Sequence, residues 1–410
     1  MSGSLLRDRD FRLVAGSAGL SALGDWVAMV ALGLHVKEVT DSGFVVAALW
    51  ICLFGPSVLA AGHAGLLADR FEATRLLATA SAIGAVAAVA LGLLDGLVPI
   101  LALTAVLGLV FAVTQPAEFA LVPPLAGEDR IQAANGHMET FRYLGFGIGP
   151  LLGGLLYSVG SFELAMAVDA LTFALVAVAA LSLRVRRPPR QAGREARGRA
   201  REGIAFLFSD RTLSLVMTVA FASLLFMSAI WVAELFFVGE VLGKGDVAYG
   251  AMFTVWTLGM AAGATFLSPR VAATALAGVG VAAVAVQGLS LALPAIWLSY
   301  GFFLACSFGG GVAHGVKNVL FRSLIHTSVP ERLHGRAFAA YNGIRNAAEL
   351  GAFAAGGLLI TAIGARGTVA YAGFLSAVVG AAGFVVLIRR RHGSLASARS
   401  KMLRPETLVP

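Results

Sequence analysis

Gly145-Phe146-Gly147-Ile148-Gly149-Pro150-Leu151-Leu152-Gly153-Gly154 sets glycines four residues apart, and a proline among them, inside a long apolar segment. In an isolated soluble helix each interior glycine costs about 1 kcal/mol and the proline about 3 kcal/mol relative to alanine. A bilayer offers compensation for both. Small residues spaced by four let a second helix backbone approach closely, and neighbouring helices re-satisfy the carbonyl that Pro150 leaves unpaired. The stretch reads as a membrane helix that lies against another helix and bends.

The rest of the chain agrees with a membrane setting. Of 410 residues, 58% are hydrophobic and 13% charged, with a mean hydropathy of +0.83, whereas soluble domains run near 25% charged. Apolar runs of bilayer length, about 20 residues, fall at 11–36, 44–67, 76–94, 97–122, 131–159, 162–183, 212–238, 247–267, 271–293, 295–320, 335–363 and 368–388, twelve spans in all. The first is too long for a signal core and is expected to stay as a membrane helix. Arginines crowd the termini and alternate loops (Arg70 and Arg75, Arg130, Arg270, Arg322, Arg332 and Arg336), while the opposite loops hold only Lys37, Lys244 and Arg366. Positive charge marks the cytoplasmic side, so both termini are expected in the cytoplasm, and the protein in the cytoplasmic membrane. Cys52 and Cys306 are isolated within apolar runs and offer neither a disulfide framework nor a metal site.

Between spans six and seven, Arg184 to Arg201 holds eight arginines with Pro188-Pro189 near its start. Without aromatic interleaving or a binding fold it does not read as a nucleic-acid site; it reads as a cytoplasmic linker against anionic lipid heads. The expected division is a bundle at 1–183, a linker at 184–211, a second bundle at 212–390 and a tail at 391–410. The halves repeat. An offset of 203 residues lays Phe141-Arg142-Tyr143 on Ile344-Arg345-Asn346, Gly153-Gly154 on Gly356-Gly357, and Gln115 on Asn318. The fold class expected is all-α and integral to the membrane, twelve helices in two six-helix bundles forming a parallel repeat around a midplane cavity.

Gly65-Leu66-Leu67-Ala68-Asp69-Arg70 resembles the signature loop of the major facilitator superfamily, and Gly145 to Gly154 resembles that superfamily's antiporter motif at every defined position (Gly145, Gly149, Pro150, Gly153, Gly154). Gln115-Pro116-Ala117, Ala134-Asn135, Ser21 to Asp25 and Val329 to Arg336 resemble its drug and siderophore exporter branch. Glu72, Ala73 and Thr74 depart from the loop pattern, leaving Arg75 as a displaced cation. The resemblance implies that spans one, four, seven and ten line the cavity and that two, five, eight and eleven form the boundary between bundles. It also implies a latch in which Gly65, Asp69, Arg70 and Arg75 hold the cytoplasmic side closed, Asp69 facing the start of span eleven around Arg336.

Charges inside spans persist only when paired or facing water, which singles out Asp25, Glu118, Glu139, Arg142, Asp169, Glu234, Lys317, Arg345 and Glu349. Asp25, Arg142, Arg345 and Glu349 share a depth near the midplane. Asp25 is expected beside Arg142, either as a proton-operated switch or as a permanent ion pair. Arg345 and Glu349, four apart, are expected to satisfy each other. Glu118, about one turn from the end of span four, is read with Lys317 as part of an inner gate, as binding a charged group of the substrate, or as solvated loop-end charge; Asp169 is read as structural. Trp26, Met29, Gln115, Trp231, Glu234, Phe237, Phe308, His314, Lys317 and Asn318 are the expected cavity residues.

No phosphate-binding glycine loop and no catalytic constellation is present. The expectation is therefore a non-enzymatic, proton-coupled antiporter that exports amphipathic small molecules such as drugs or siderophore-like metabolites. It needs no cofactor or metal, has protons and membrane lipids as partners, binds no nucleic acid and acts as a monomer. A lipid flippase or importer on the same fold is the alternative.

Overall fold

Short capped turns set the topology. Asp8 accepts the Phe11 amide at 2.9 Å and starts α1 (Arg9–Thr40), which ends where Asp41 turns to φ 46° and its amide returns to the Lys37 carbonyl at 2.7 Å. Two residues later α2 (Gly43–Arg70) begins, followed by α3 (Ala73–Leu93), α4 (Leu97–Ala126), α5 (Ile131–Val159) and α6 (Phe162–Leu181). Loops this short make sequential helices run antiparallel, while their main packing partners are helices further along the chain. Asp210 caps the second half, accepting the amides of Thr212 and Leu213 at 2.9 and 2.8 Å. After the short α7 (Ala200–Leu207) come α8 (Arg211–Phe236), α9 (Asp246–Ala262), α10 (Leu276–Ala292), α11 (Tyr300–Ser328) and α12 (His334–Met402). Gly364, at φ 70°, breaks α12 into two passes. The computed structural model describes residues 5–185, 200–330 and 333–402, and side chains there except at 60–70, 128, 132, 200, 201, 335 and 391–402.

Among the described residues eight helical stretches are long and apolar enough to cross a bilayer, the last of them, Arg336–Arg390, long enough to cross twice. Added to α2, α5 and α11, of 28, 29 and 29 residues, they make twelve passes. Only helices and closed barrels satisfy every backbone group within hydrocarbon, and no strand occurs among the described residues.

Packing repeats between the halves. α1 lies on α5 and α8 on the first pass of α12; α2 lies on α4 and α9 on α11; α3 lies on α6 and α10 on the second pass of α12. The halves meet through α5 against α9 and α2 against α12. On the face opposite the termini they share one apolar core, in which Val30, Leu49, Trp50, Phe237, Phe253 and Phe353 are all buried. On the termini face each half has its own, around Phe11, Leu121 and Met138 in the first and Val216, Phe321 and Ala337 in the second.

Several expectations shift, among them span ten, which lies at Tyr300–Ser328 rather than 295–320 because the Phe303 amide opens its first turn on the Ser299 carbonyl at 2.8 Å and the Val329 amide closes its last on that of Ile325 at 3.0 Å. Span four runs four residues further, through Pro123-Pro124 to Ala126, because the Gly127 amide closes its last turn on the Pro123 carbonyl at 3.0 Å. Glu118 consequently lies two turns inside rather than one. The linker is not all lipid-facing: α7 packs on α12, and Glu202 pairs with Arg336. The arginine-rich segment 186–199 lies outside the described residues.

Candidate functional site

The glycines of the fifth helix are spaced for backbone contact. A Cβ at Gly145 would lie 2.6 Å from the Gly19 carbonyl oxygen, at Gly149 2.8 Å from that of Leu23, and at Gly153 2.7 Å from that of Val27. All three are on α1, so one glycine face beds α5 into the backbone of α1. Gly154 turns the other way, toward the Asp246 carbonyl at 2.5 Å on α9, and Gly250 of α9 sits against the Pro150 carbonyl. The repeat keeps this division. Gly356 faces the Ala229 carbonyl of α8 at 2.7 Å within its own half, and Gly357 faces Ala47 of α2 in the other.

Beside this seam lies a buried charge network in the first half. Arg142 Nη2 donates to Glu118 Oε2 at 3.1 Å, with both residues buried, and the guanidinium lies 5.5 Å from the Phe119 ring. Sequence reasoning gives Arg142 to Asp25; the direct partner is Glu118, whose longer side chain reaches across from α4. Asp25 instead accepts the Ser21 hydroxyl, one turn earlier on α1, at 3.4 Å, and feels Arg142 only through space. Asp169 of α6 is buried beside Gly24 and interacts electrostatically with Asp25. It is thus a neighbour of the network, where the sequence reading has it as purely structural. Glu139, also on α5, is half-buried and has no ion pair among the described residues. Gln115 is half-buried on α4.

The second half carries the complementary sign. Lys317 on α11 is buried, with Nζ 3.4 Å from His314 Nδ1, and Gln287 of α10 meets the same ring nitrogen at 3.1 Å. On α12 Arg345 donates to Glu349 at 3.0 Å, the pairing that their spacing anticipates. Of the two residues read as inner-gate candidates, Glu118 is bound to Arg142 and Lys317 lies beside His314. Asn318 is half-buried. In the signature loop, Arg75 is exposed and bound to its own neighbour Glu72 at 3.2 Å. Gly65, Asp69 and Arg70 have side chains outside the described residues, and Arg336, the expected partner region of Asp69, is occupied by Glu202.

Aromatic rings join the halves. Trp26 of α1 is 6.2 Å from Trp231 of α8 and 5.4 Å from Phe253 of α9; Trp231 also meets Phe54 of α2 at 6.4 Å and Phe353 of α12 at 6.3 Å. Trp26 and Trp231 thus form a seal together with Phe54, Phe146, Phe253 and Phe353, four residues that sequence reasoning misses because aromatic residues are frequent throughout membrane helices. Met29 is buried in the shared core. Phe237 is fully buried against Phe303 at 5.7 Å, a packing residue rather than a cavity wall. Phe308 is 44% exposed and does not join the seal; its helix turns the neighbouring glycines 310 and 311 toward Trp256 and so turns Phe308 outward. Glu234 is buried on α8 with Tyr249 of α9 in its electrostatic field.

Beyond the seal, on the face opposite the termini, a cleft of about 550 Å³ is lined by Lys37, Glu38, Asp41, Tyr157, Lys244 and Asp246 among others. Across it Lys37 of the first half binds Glu240 of the second at 3.2 Å and lies 5.3 Å from the Phe236 ring.

Solved structures share this arrangement. A NupG nucleoside transporter variant superposes with a TM-score of 0.74 at 12% identity, over 92% of this chain and 99% of its own. A POT family transporter in complex with 5-aminolevulinic acid gives 0.74 at 10% identity, over 93% and 96%, and a POT peptide transporter variant in complex with alafosfalin gives 0.71 at 13%, over 92% and 94%. At such identities the likeness establishes the fold alone. No curated protein matches the chain. The sequence model of the Major Facilitator Superfamily, however, matches residues 14–352. Two six-helix halves that share a core on one face and part on the other, with that match across most of the length, make this chain a multi-pass, non-enzymatic membrane transporter that belongs to the major facilitator superfamily.

Proposed function

We propose that this chain is a proton-coupled exporter of amphipathic small molecules, working by alternating access in the cytoplasmic membrane with both termini in the cytoplasm. The two moving bodies are residues 1–183 and 212–390. The observation that carries the reading is the first-half network, in which Glu118 binds the Arg142 guanidinium, Asp25 feels it through space, and Asp169 adds a third buried carboxyl beside Asp25. Charge buried in hydrocarbon must be matched, and protons can make up the shortfall that Arg142 leaves. Because Arg142 lies on α5, which packs on α1 within its own half and on α9 of the other, a change in the network's charge acts on a helix at the boundary between the two moving bodies.

The cytoplasmic placement of the termini follows from the arginine bias of the flanking loops. With that orientation, the shared core seals the outside and the separated cores face the cytoplasm, the conformation in which an exporter loads. The cleft beyond the seal, lined by charged residues, is the side from which protons enter in this reading.

Everted membrane vesicles provide the test. Export predicts that an amphipathic fluorescent dye accumulates inside vesicles with an acidified lumen, and that a protonophore abolishes the accumulation. Asp25→Asn is expected to insert normally and lose this accumulation; unchanged transport in that variant removes Asp25 from coupling. Movement in the opposite sense, or insensitivity to the protonophore, favours an importer or lipid flippase on the same fold.

A further inference from the structure

Lys317 is 6% exposed, and among the described residues its ammonium has one hydrogen-bonding neighbour, the Nδ1 of His314, at 3.4 Å. Gln287 presents its amide nitrogen to the same atom at 3.1 Å. Both neighbours are donors, so His314 Nδ1 accepts and supplies no negative charge. Arg345 and Glu349 both act on Lys317 through space, but Glu349 is already bound to Arg345 at 3.0 Å. Two cations share one carboxylate, and one positive charge is left unmatched in the membrane interior. A buried charge in that condition is strongly unfavourable unless something else neutralises it.

The next turn of α12 indicates what does. Arg345, Glu349 and Phe353 follow at intervals of four and share one helix face. Phe353 is 5.7 Å from the Phe54 ring and 6.3 Å from that of Trp231, within the aromatic seal. At 1.5 Å per residue the charged end and the aromatic end of this stripe are about 12 Å apart, the length of a small amphiphile.

We propose that Lys317 and Arg345 recognise the carboxylate head of an amphipathic monoanion whose apolar body lies against Trp231 and Phe353. This names the substrate class of the proposed transport site and rests on that reading only in taking the space between the halves as the place where substrate binds. The first half, rich in carboxyls, then handles protons, and the second holds the anion.

The test is equilibrium binding without any gradient. Full-length protein in phosphatidylcholine nanodiscs, with empty nanodiscs as blank, is titrated with pyrenebutyrate, pyrenebutanol and pyrenebutylammonium. Energy transfer from the protein's tryptophans to pyrene reads occupancy. The carboxylate is expected to bind about tenfold more tightly than the alcohol or the ammonium. Lys317→Gln removes that preference, and Lys317→Arg keeps it. Equal affinity for the three probes, no binding of any, or a preference undiminished in Lys317→Gln overturns the proposal. The wild-type comparison decides even if Lys317→Gln fails to fold. Because no ion gradient is applied, recognition and export fail separately: the vesicle assay loses its sign or its coupling, the binding assay its charge preference.

Discussion

At the scale of single residues the decisive object is the Arg142–Glu118 pair, buried on both sides and 3.1 Å apart. Removing one partner of a buried pair strands the other charge and costs about 3 kcal/mol or more, whereas removing both leaves only a packing defect. Arg142→Gln is therefore expected to lower the melting temperature of the detergent-purified protein more than the Glu118→Gln/Arg142→Gln double variant does. A double variant no more stable than the single one shows that the pair is not a closed electrostatic unit. The sequence identifies every member of this network, since intramembrane charges are few, and their depth follows from counting along the helices, save that of Glu118, which the longer α4 places a turn deeper. Their pairing does not. Which charges meet depends on the rotation of each helix about its axis, and of the carboxyls on α4, α1 and α6 only that of α4 meets Arg142 directly. The Arg345–Glu349 pair is legible because both residues sit on one helix, where spacing alone decides.

Individual helices show why the glycines of α5 are not interchangeable. Gly153 faces the Val27 carbonyl and Gly250 the Pro150 carbonyl with no room for a methyl group, while a Cβ at Gly147 meets nothing within 4 Å. Gly153→Ala should therefore push α5 off α1, and Gly250→Ala should push α9 off α5 at Pro150, each destabilising by about 1–3 kcal/mol through overpacking. Gly147→Ala should be neutral or stabilise by up to about 1 kcal/mol. Thermal unfolding of the three variants in one detergent checks this order, and a Gly147→Ala change as damaging as the other two would contradict it. Helix existence is legible in the sequence, and so is the extent of α5 at Ile131–Val159, because apolar runs and short charged breaks are set by bilayer thickness; the end of α4 and both ends of α11 fall elsewhere than the apolar runs do. The face each helix turns inward is less so: Phe308 falls on the exposed side of α11 because glycines 310 and 311 claim the contact with α9, and no period in that glycine-rich stretch marks the difference.

For the whole molecule, the unequal distribution of apolar cores sets how it must move. One shared core joins the halves on the face away from the termini, and two separate cores face the other way, so a second state requires the shared side to part. Gly43 at the start of α2 meets α12 there, where a Cβ would lie 3.0 Å from that of Ile360. That is a little under the separation of about 3.5–4.5 Å that a disulfide needs, and the first residue of a helix can yield that far. In a background without Cys52 and Cys306, Gly43→Cys with Ile360→Cys is expected to crosslink under mild oxidant and stop dye movement in vesicles, with reductant restoring it. Binding of pyrenebutyrate from the termini side should survive the crosslink, because the separated cores on that face are untouched by it. A crosslinked protein that still transports at the uncrosslinked rate would mean that this seam stays shut throughout the cycle and that the halves exchange access by some motion other than parting at α2 and α12.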